Sequence, residues 1–159
     1  MHPIKPIFDK NSRVLILGTM PSPKSRESGF YYMHPRNRFW PVMENILGEK
    51  APQDSAGKAE WLLSHGIALW DVLKSCEIES ASDSSIKNPV VNDFGEIFRT
   101  ADILKVFATG KKAAQLYSRY SEWSKRYPIT ALLSTSPANC GFNMERLTED
   151  YRRILEFTF

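Results

Sequence analysis

The chain has 159 residues, of which 42% are hydrophobic and 25% are charged, and it contains two cysteines. These proportions are typical of one globular domain that buries a core without disulfide or metal support, and they argue against a disordered chain. The formal net charge is +3, with a pI of about 8.9. This mild excess of basic residues is compatible with a polyanionic partner but does not demonstrate one.

The first residues, Met-His-Pro-Ile-Lys-Pro, contain neither an apolar run nor a cleavage site, and no segment approaches the length of a membrane span. We therefore expect an intracellular protein without a membrane partner, cytoplasmic and nucleoid-associated if it is bacterial. In that compartment Cys76 and Cys140 are expected to be reduced thiols. Three scattered histidines and no Cys-x-x-Cys motif give no spacing that would assemble a metal site.

Short aliphatic runs alternate with helical periodicity along the chain. Four runs predict buried strands, at Val14–Leu17, Ile67–Leu73, Leu104–Ala108 and Ile129–Leu133. Five periodic segments predict helices, at Phe39–Leu47, Ala56–Ser64, Phe94–Ala101, Ala113–Tyr120 and a last helix capped by Asn143. The serine-rich segment Glu77–Asn88 is expected to be a long loop.

Buried strands that alternate with helices predict an α/β domain with a parallel sheet covered by helices on both faces, spanning residues 1–159. Ligands of such sheets bind beyond the carboxyl ends of the strands. The loops Gly18–Asn37, Asp71–Asn92 and Ser134–Asn143 are therefore expected to carry function. The segment Gly110–Lys112, at a helix start, is expected to add phosphate contacts.

The first of these loops is long and rich in aromatic and basic residues. Phe30, Tyr31 and Tyr32 offer flat faces on which a base can stack, and Arg36 and Arg38 follow closely. Aromatic rings interleaved with cations suit an unstacked nucleotide. The alternative is that these rings simply fold the loop onto the core.

Polar residues at the strand ends also allow two interpretations each. Asn37 is either an ordinary helix N-cap or an amide that holds a water or a sugar cation. Asp71 is either an acceptor for a ligand or a cap for the next turn. The segment Ser134–Gly141 offers hydroxyl and backbone N–H groups to phosphates, although Ser-Pro turns are common. Lys111 and Lys112 either bind an anion or are merely solvated.

Five segments, in this order, resemble the uracil-DNA glycosylase superfamily, and in particular its hypoxanthine-DNA (deoxyinosine) glycosylase branch. They read Val-Leu-Ile-Leu-Gly-Thr-Met-Pro-Ser from Val14, Tyr-Tyr-Met-His-Pro-Arg-Asn-Arg-Phe-Trp-Pro from Tyr31, Ala-Leu-Trp-Asp-Val-Leu-Lys-Ser-Cys-Glu from Ala68, Thr-Gly-Lys-Lys-Ala from Thr109, and Leu-Ser-Thr-Ser-Pro-Ala-Asn from Leu133. The Tyr-Tyr-x-His-Pro-Arg-Asn-x-Phe-Trp segment is specific, and the Ser-Pro-Ala-Asn segment is moderately so.

The resemblance implies a three-layer α/β/α fold around a four-stranded parallel sheet, in a monomer that acts on DNA containing a deaminated base. It implies a monofunctional DNA-deoxyinosine glycosylase that uses no metal or cofactor. Many relatives carry a water-activating Asp or Asn two positions after the strand-end glycine, where this chain has Met20. The resemblance assigns the catalytic role to Asn37 instead. Ser134 likewise stands where uracil-specific relatives carry a histidine or an asparagine.

The resulting hypothesis assigns each remaining residue a role. Met20, Phe30, Tyr32 and Asp71 line the base pocket, with Tyr32 and Phe30 stacking and Asp71 accepting the N1–H of hypoxanthine. The residues expected to hold the DNA backbone are Ser22, Lys24, Lys111, Ser136 and Asn139. Phe142 is a candidate wedge for the vacated base stack.

Three other functions compete with this hypothesis. The chain could excise uracil or a broad set of deaminated bases, which Met20 and Ser134 argue against. It could bind lesions without catalysis, which Asn37 and the aromatic segment argue against. It could be a serine hydrolase using Ser22 or Ser136, but the sequence has no Gly-x-Ser-x-Gly elbow.

Overall fold

The computed structural model describes residues 4–20, 23–78, 86–137 and 141–158. The strands within these ranges are β1 (Val14–Gly18), β2 (Ile67–Asp71), β3 (Leu73–Ile78), β4 (Ile86–Val91), β5 (Lys105–Thr109) and β6 (Ile129–Leu132). The helices are α1 (Pro23–Ser28), α2 (Phe39–Leu47), α3 (Ser55–Ser64), α4 (Gly95–Thr100), α5 (Lys111–Tyr120) and α6 (Met144–Tyr151), and a 3-10 helix (Arg152–Phe157) follows α6.

Four strands form a parallel sheet in the order β2-β1-β5-β6. All five residues of the central strand β1 are buried, because helices cover both of its faces. This explains why β1 is aliphatic throughout instead of alternating with polar residues. The four strands predicted from aliphatic runs are the four strands of this sheet, with ends that differ by one or two residues.

Two hydrophobic clusters lie on opposite faces of the sheet, because successive side chains of a strand point in opposite directions. Val14 and Ile16 of β1 belong to a cluster with residues of α2, α3 and α6. Leu15 and Leu17 belong to a second cluster with residues of α4 and α5. The protein therefore has the expected three-layer α/β/α architecture.

The prediction of a long loop at Glu77–Asn88 was wrong at both ends, where β3 pairs antiparallel with β4. The middle of that segment, residues 79–85, lies outside the described part of the chain. The second predicted strand, Ile67–Leu73, was too long for the same reason, since the main sheet ends at Asp71 and Leu73 already belongs to the hairpin. The two strands of this pair mix polar and apolar residues, as is possible outside the core sheet, where both faces need not be buried. The expectation for the thiols of Cys76 and Cys140 concerns side chains outside the described part of the chain.

The loop after β1 also contains a helix that the sequence pattern did not predict, the six-residue α1. The described segments contain no helix whose length and apolar character would let it cross a bilayer.

Helix termini follow the capping residues of the sequence. Gly48 ends α2 in the left-handed conformation, with φ of 69°, and its N–H donates to the Glu44 carbonyl. The predicted cap of α6 is confirmed, since the Asn143 side-chain oxygen accepts the Arg146 N–H at 2.8 Å. Asp54 caps α3 in the same way through the Gly57 N–H.

Replacing Asn143 by alanine should lower the free energy of unfolding by about 1 kcal/mol, because it leaves the Arg146 N–H without its side-chain acceptor. Asn143→Asp retains an acceptor oxygen and should stay close to wild type. Urea denaturation of the three proteins measures the difference. Equal stability of the alanine and aspartate variants would show that the cap contributes nothing.

Candidate active site

Three polar side chains converge on Gly18 at the carboxyl end of β1. The parallel register places Gly18 beside Asp71, the last residue of β2. A Cβ atom at position 18 would lie 2.8 Å from the Asp71 Oδ1, 3.0 Å from the Tyr32 hydroxyl and 3.6 Å from the Thr109 Oγ1. Any larger residue would therefore displace these groups, and glycine is what allows them to meet.

Asp71 is a buried carboxyl group with no hydrogen bond from the described residues. Its residue is 5% exposed, and the one bond it makes there uses its main-chain oxygen, which accepts from the Asn92 side chain at 2.8 Å. Burial raises the pKa of the carboxyl to about 7. The side chain caps no turn among these residues, and its interpretation as a ligand acceptor stays a prediction.

Tyr32 is held on two sides. Its backbone φ is 54°, in the left-handed region that tyrosine rarely adopts. Its ring stacks on Phe39 with centroids 4.0 Å apart, and its hydroxyl lies 3.1 Å from the Thr109 Oγ1. Burial, and then the charge of Asp71, raise the pKa of the hydroxyl, which therefore stays protonated. The unusual φ brings this one ring of the aromatic segment to the sheet edge.

The neighbouring rings belong to the core. Phe30 is 7% exposed and stacks on Trp40 with centroids 5.7 Å apart. Tyr31 is also buried and donates its hydroxyl to the Lys5 carbonyl. For these two residues the structure supports the alternative in which aromatic side chains fold the loop onto the core, and it leaves Tyr32 as the ring at the site. Met20 is half-buried and packs against the second hydrophobic cluster.

Asn37 ends a tight turn just before α2. Its N–H donates to the His34 carbonyl, and its Oδ1 accepts the Phe39 N–H at 2.9 Å. The N-cap position of α2 is Arg38, which has no side-chain capping bond, so the interpretation of Asn37 as an ordinary N-cap is wrong. The Asn37 side chain instead closes a turn by accepting the N–H two residues ahead. The contact uses one lone pair of the oxygen and fixes the plane of the amide. It leaves the second lone pair and the amide nitrogen for another partner.

Arg38 joins the loop after β1 to the loop after β6. Its N–H donates to the Thr135 carbonyl at 3.1 Å, and its guanidinium donates to the Phe142 carbonyl. Ser134 in turn lies against Gly110, where a Cβ would be 3.3 Å from the Ser134 Cβ. The loops after β1, β5 and β6 are thus contiguous at the edge where Asn37 lies.

The residues expected to hold DNA fall around this edge or outside the described chain. Lys111 is exposed at the start of α5, and the Ser136 N–H donates to the Ser134 Oγ at 3.1 Å. Phe142 is partly buried against the first hydrophobic cluster. The structure does not describe Ser22, Asn139 or the side chain of Lys24. Among the described residues, no three His, Cys, Asp or Glu side chains are grouped as a metal would require.

Gly18 and Thr109 were not among the predicted site residues, although the site depends on both. Each lies at the carboxyl end of a strand, and Leu17 pairs with Ala108 one residue earlier. In the sheet, β1 lies between β2, which ends at Asp71, and β5, which ends at Thr109. The rule that ligands bind at this edge could therefore have identified both.

Asp71 should make stability depend on pH. The folded state holds this proton up to about pH 7, whereas the unfolded chain releases it near the ordinary value of 3.8, so wild type loses stability as the pH rises between these values. Asp71→Asn does not titrate. Urea denaturation should show the free energy of unfolding of wild type falling relative to that of the variant between about pH 4 and about pH 7. A pH-independent difference would show that Asp71 titrates normally.

Comparison with known proteins agrees with this fold. Residues 6–156 match the sequence profile of the family described as the uracil DNA glycosylase superfamily. A protein of Methanosarcina barkeri named hypoxanthine DNA glycosylase is 35% identical over 136 residues, which cover 84% of this chain and 85% of the relative. A protein of Methanosarcina acetivorans with the same name is 32% identical over 145 residues, 90% of each chain.

A solution NMR structure from Methanosarcina acetivorans, provisionally described as a uracil DNA glycosylase, superposes with a TM-score of 0.79. It is 29% identical, and the match covers 96% of each chain. The profile match spans most of the 159 residues. It includes all four strands of the parallel sheet and the residues of the candidate site at their carboxyl ends, called the strand-end site below. This chain belongs to the uracil DNA glycosylase superfamily.

Proposed function

We propose that the protein is a monofunctional DNA glycosylase that hydrolyses the N-glycosidic bond of deoxyinosine in base excision repair. The observation that carries the proposal is Asp71, a buried carboxyl without a hydrogen-bond donor among the described residues at the ligand end of the sheet. A buried acceptor of this kind favours a ligand that brings its own donor. The names of two relatives at 32–35% identity support the same substrate.

Hypoxanthine carries a hydrogen on N1, whereas adenine presents a lone pair there. An ionised Asp71 would accept the N1–H of hypoxanthine and would face the lone pair of adenine without a hydrogen bond. Sites built around such a buried polar group reject the analogue that leaves it unpaired. The base must leave the duplex to reach Asp71, and a mispaired base costs less to extract. Tyr32 would then border the extruded base with the ring face that Phe39 does not cover.

Asn37 would act on the sugar side of the bond. An amide does not remove a proton from water at neutral pH, so Asn37 would position the water through its oxygen and face the positive sugar that forms as the base departs. The hydrogen bond from the Phe39 N–H holds the amide in one orientation beforehand. This favours a dissociative path, in which the carbon–nitrogen bond is largely broken before water attacks.

A glycosylase for uracil or for a broad set of deaminated bases is the alternative within the superfamily. Uracil also carries a ring N–H beside a carbonyl, so Asp71 could accept a hydrogen bond from it too. Met20 and Ser134 favour the deoxyinosine substrate. Met20 stands where many relatives carry a water-activating Asp or Asn, and Ser134 stands where uracil-specific relatives carry a histidine or an asparagine. Ser22, Lys24, Lys111, Ser136 and Asn139 remain the proposed contacts to the DNA backbone, in a monomer.

Single-turnover excision from labelled duplexes containing deoxyinosine, deoxyuridine, deoxyxanthosine or deoxyadenosine tests the substrate directly, with alkali cleavage of the abasic product. The proposal expects selective loss of hypoxanthine. Selective loss of uracil would contradict the deoxyinosine substrate and support the alternative, a uracil glycosylase. Tight binding of lesion DNA without any excision would show a lesion-binding protein.

Variants at Asn37 separate catalysis from the turn contact with Phe39. Asn37→Ala should reduce excision of hypoxanthine by about 100-fold or more, since the proposal places this group against the transition state. Asn37→Ser keeps an acceptor oxygen that can close the same turn and should keep wild-type stability, yet it should lose activity as the alanine variant does. Asn143→Ala is the control for a small loss of stability, with full excision. Full activity of Asn37→Ser would mean that Asn37 acts only through its turn contact.

Asp71→Asn should reduce the preference for hypoxanthine over adenine by at least about tenfold. An amide can rotate to offer oxygen to the N1–H of hypoxanthine or its NH₂ to the N1 of adenine, whereas a carboxylate only accepts. Relative excision of the two bases at about pH 8, where Asp71 is ionised, measures the change. An unchanged preference would remove Asp71 from the base pocket.

A further inference from the structure

A second basic surface lies outside the strand-end site. An open groove of about 450 Å³ runs between β4 and α5. Its lining includes Asn88 and Pro89 of β4 and, from α5, Lys112, Gln115, Arg119 and Tyr120. None of the residues that line it carries a carboxylate.

The two cations of this groove have no acidic partner within the described part of the chain. Neither Lys112 nor Arg119 forms an ion pair with any described residue. Arg119 lies over the ring of Tyr120 at 5.3 Å from the centroid, and Tyr120 is 42% exposed. Unpaired cations beside an exposed aromatic ring on a polar surface are the combination with which proteins follow a nucleic-acid backbone.

The groove is continuous with the candidate active site through α5. This helix begins at Lys111, directly after Gly110, which abuts Ser134 of the loop after β6. Lys112, Gln115 and Arg119 recur at intervals of three and four residues, which places them along one face of the helix. Arg119 follows Lys112 by seven positions, so at a rise of 1.5 Å per residue the two cations are about 10 Å apart along the helix axis. This distance corresponds to about three base-pair steps of DNA.

We propose that this groove holds the sugar-phosphate backbone of the DNA that flanks the extruded base, so that Lys112 and Arg119 extend the contact by about three base-pair steps on one side of the lesion. The inference rests on the proposed function only in taking DNA as the partner, which membership of the superfamily already implies. Charge complementarity and continuity with the strand-end site select DNA as the occupant.

Binding to undamaged duplex tests the groove without any need for base excision. The double variant Lys112→Gln/Arg119→Gln is compared with a control that loses the same charge elsewhere, Lys50→Gln/Arg152→Gln. These control residues are exposed and lie after α2 and α6, the helices packed on the opposite face of the sheet. Dissociation constants are measured against salt concentration, with thermal denaturation to verify folding.

The groove variant should bind a long duplex at least about tenfold more weakly at 0.1 M salt, and the slope of log K against log salt should fall by about 2, since each phosphate contact contributes about 0.9. The control should retain the wild-type slope. An equal slope for the groove variant and wild type would overturn the proposal and leave the groove to a partner other than DNA.

Duplexes of unequal arms identify the flank. With deoxyinosine placed near one end, the variant should be impaired only when the long arm lies on the side that the groove occupies. Wild-type excision on both duplexes reports the proposed function separately. If the groove variant were impaired equally on the two duplexes, whichever arm is short, the proposed contact on one side of the lesion would be contradicted.

Discussion

The contact on which the site depends is the approach of Asp71, Tyr32 and Thr109 around Gly18. A parallel sheet brings the carboxyl ends of β1, β2 and β5 to one edge, but a side chain at position 18 would come within 2.8 Å of Asp71. Glycine at position 18 leaves the space that the Asp71 carboxyl group occupies. The carboxyl group is buried there, and no described residue donates a hydrogen bond to it. The cost of that burial appears as a pKa raised to about 7. No described residue donates a hydrogen bond to this carboxyl group in the free protein, so a ligand that brings its own donor can supply one.

Asn37 depends on a different part of the structure. The His34–Asn37 turn and the N-terminus of α2 hold its amide, while Arg38 fastens the same turn to the loop after β6. The turn contact and the proposed catalytic role do not exclude each other, because an amide oxygen has two lone pairs. The turn contact would supply the rigid orientation that catalysis by an uncharged group requires. The proposal thereby places base recognition at Asp71 and sugar chemistry at Asn37, on separate elements of one edge.

Much of the fold follows from the sequence alone. The strands of the main sheet are aliphatic because both faces are buried, and this signal needs no knowledge of distant residues. The β3–β4 hairpin lacked such a signal, since its strands mix polar and apolar residues without regular alternation and its pairing is irregular in register. The periodicity rule therefore described it as a loop. Asn143 was recognisable as a cap because capping depends on residues only a few positions apart.

The site was less accessible to sequence reasoning. Asp71 could be singled out as a carboxylate at a strand end. That no described residue donates a hydrogen bond to its side chain depends on packing, which the sequence does not reveal. Three consecutive aromatic residues suggested several stacking rings, and only the positive φ of Tyr32 separates it from Phe30 and Tyr31. The Tyr32–Thr109 contact joins residues 77 positions apart, so no local pattern could reveal it. The resemblance to the superfamily contributed the role of Asn37, which residue type alone left equal to that of a helix cap.

The most direct test of this account is the pKa of Asp71, measured by carbon NMR of the labelled carboxyl group with and without a duplex that contains 2′-fluoro-deoxyinosine, whose glycosidic bond resists hydrolysis. The account predicts a pKa of about 7 in the free protein. It predicts a fall on binding this duplex, because the N1–H stabilises the ionised form, and no fall with the deoxyadenosine analogue. An ordinary pKa in the free protein, or one that both duplexes leave unchanged, would contradict the claim that Asp71 reads the base.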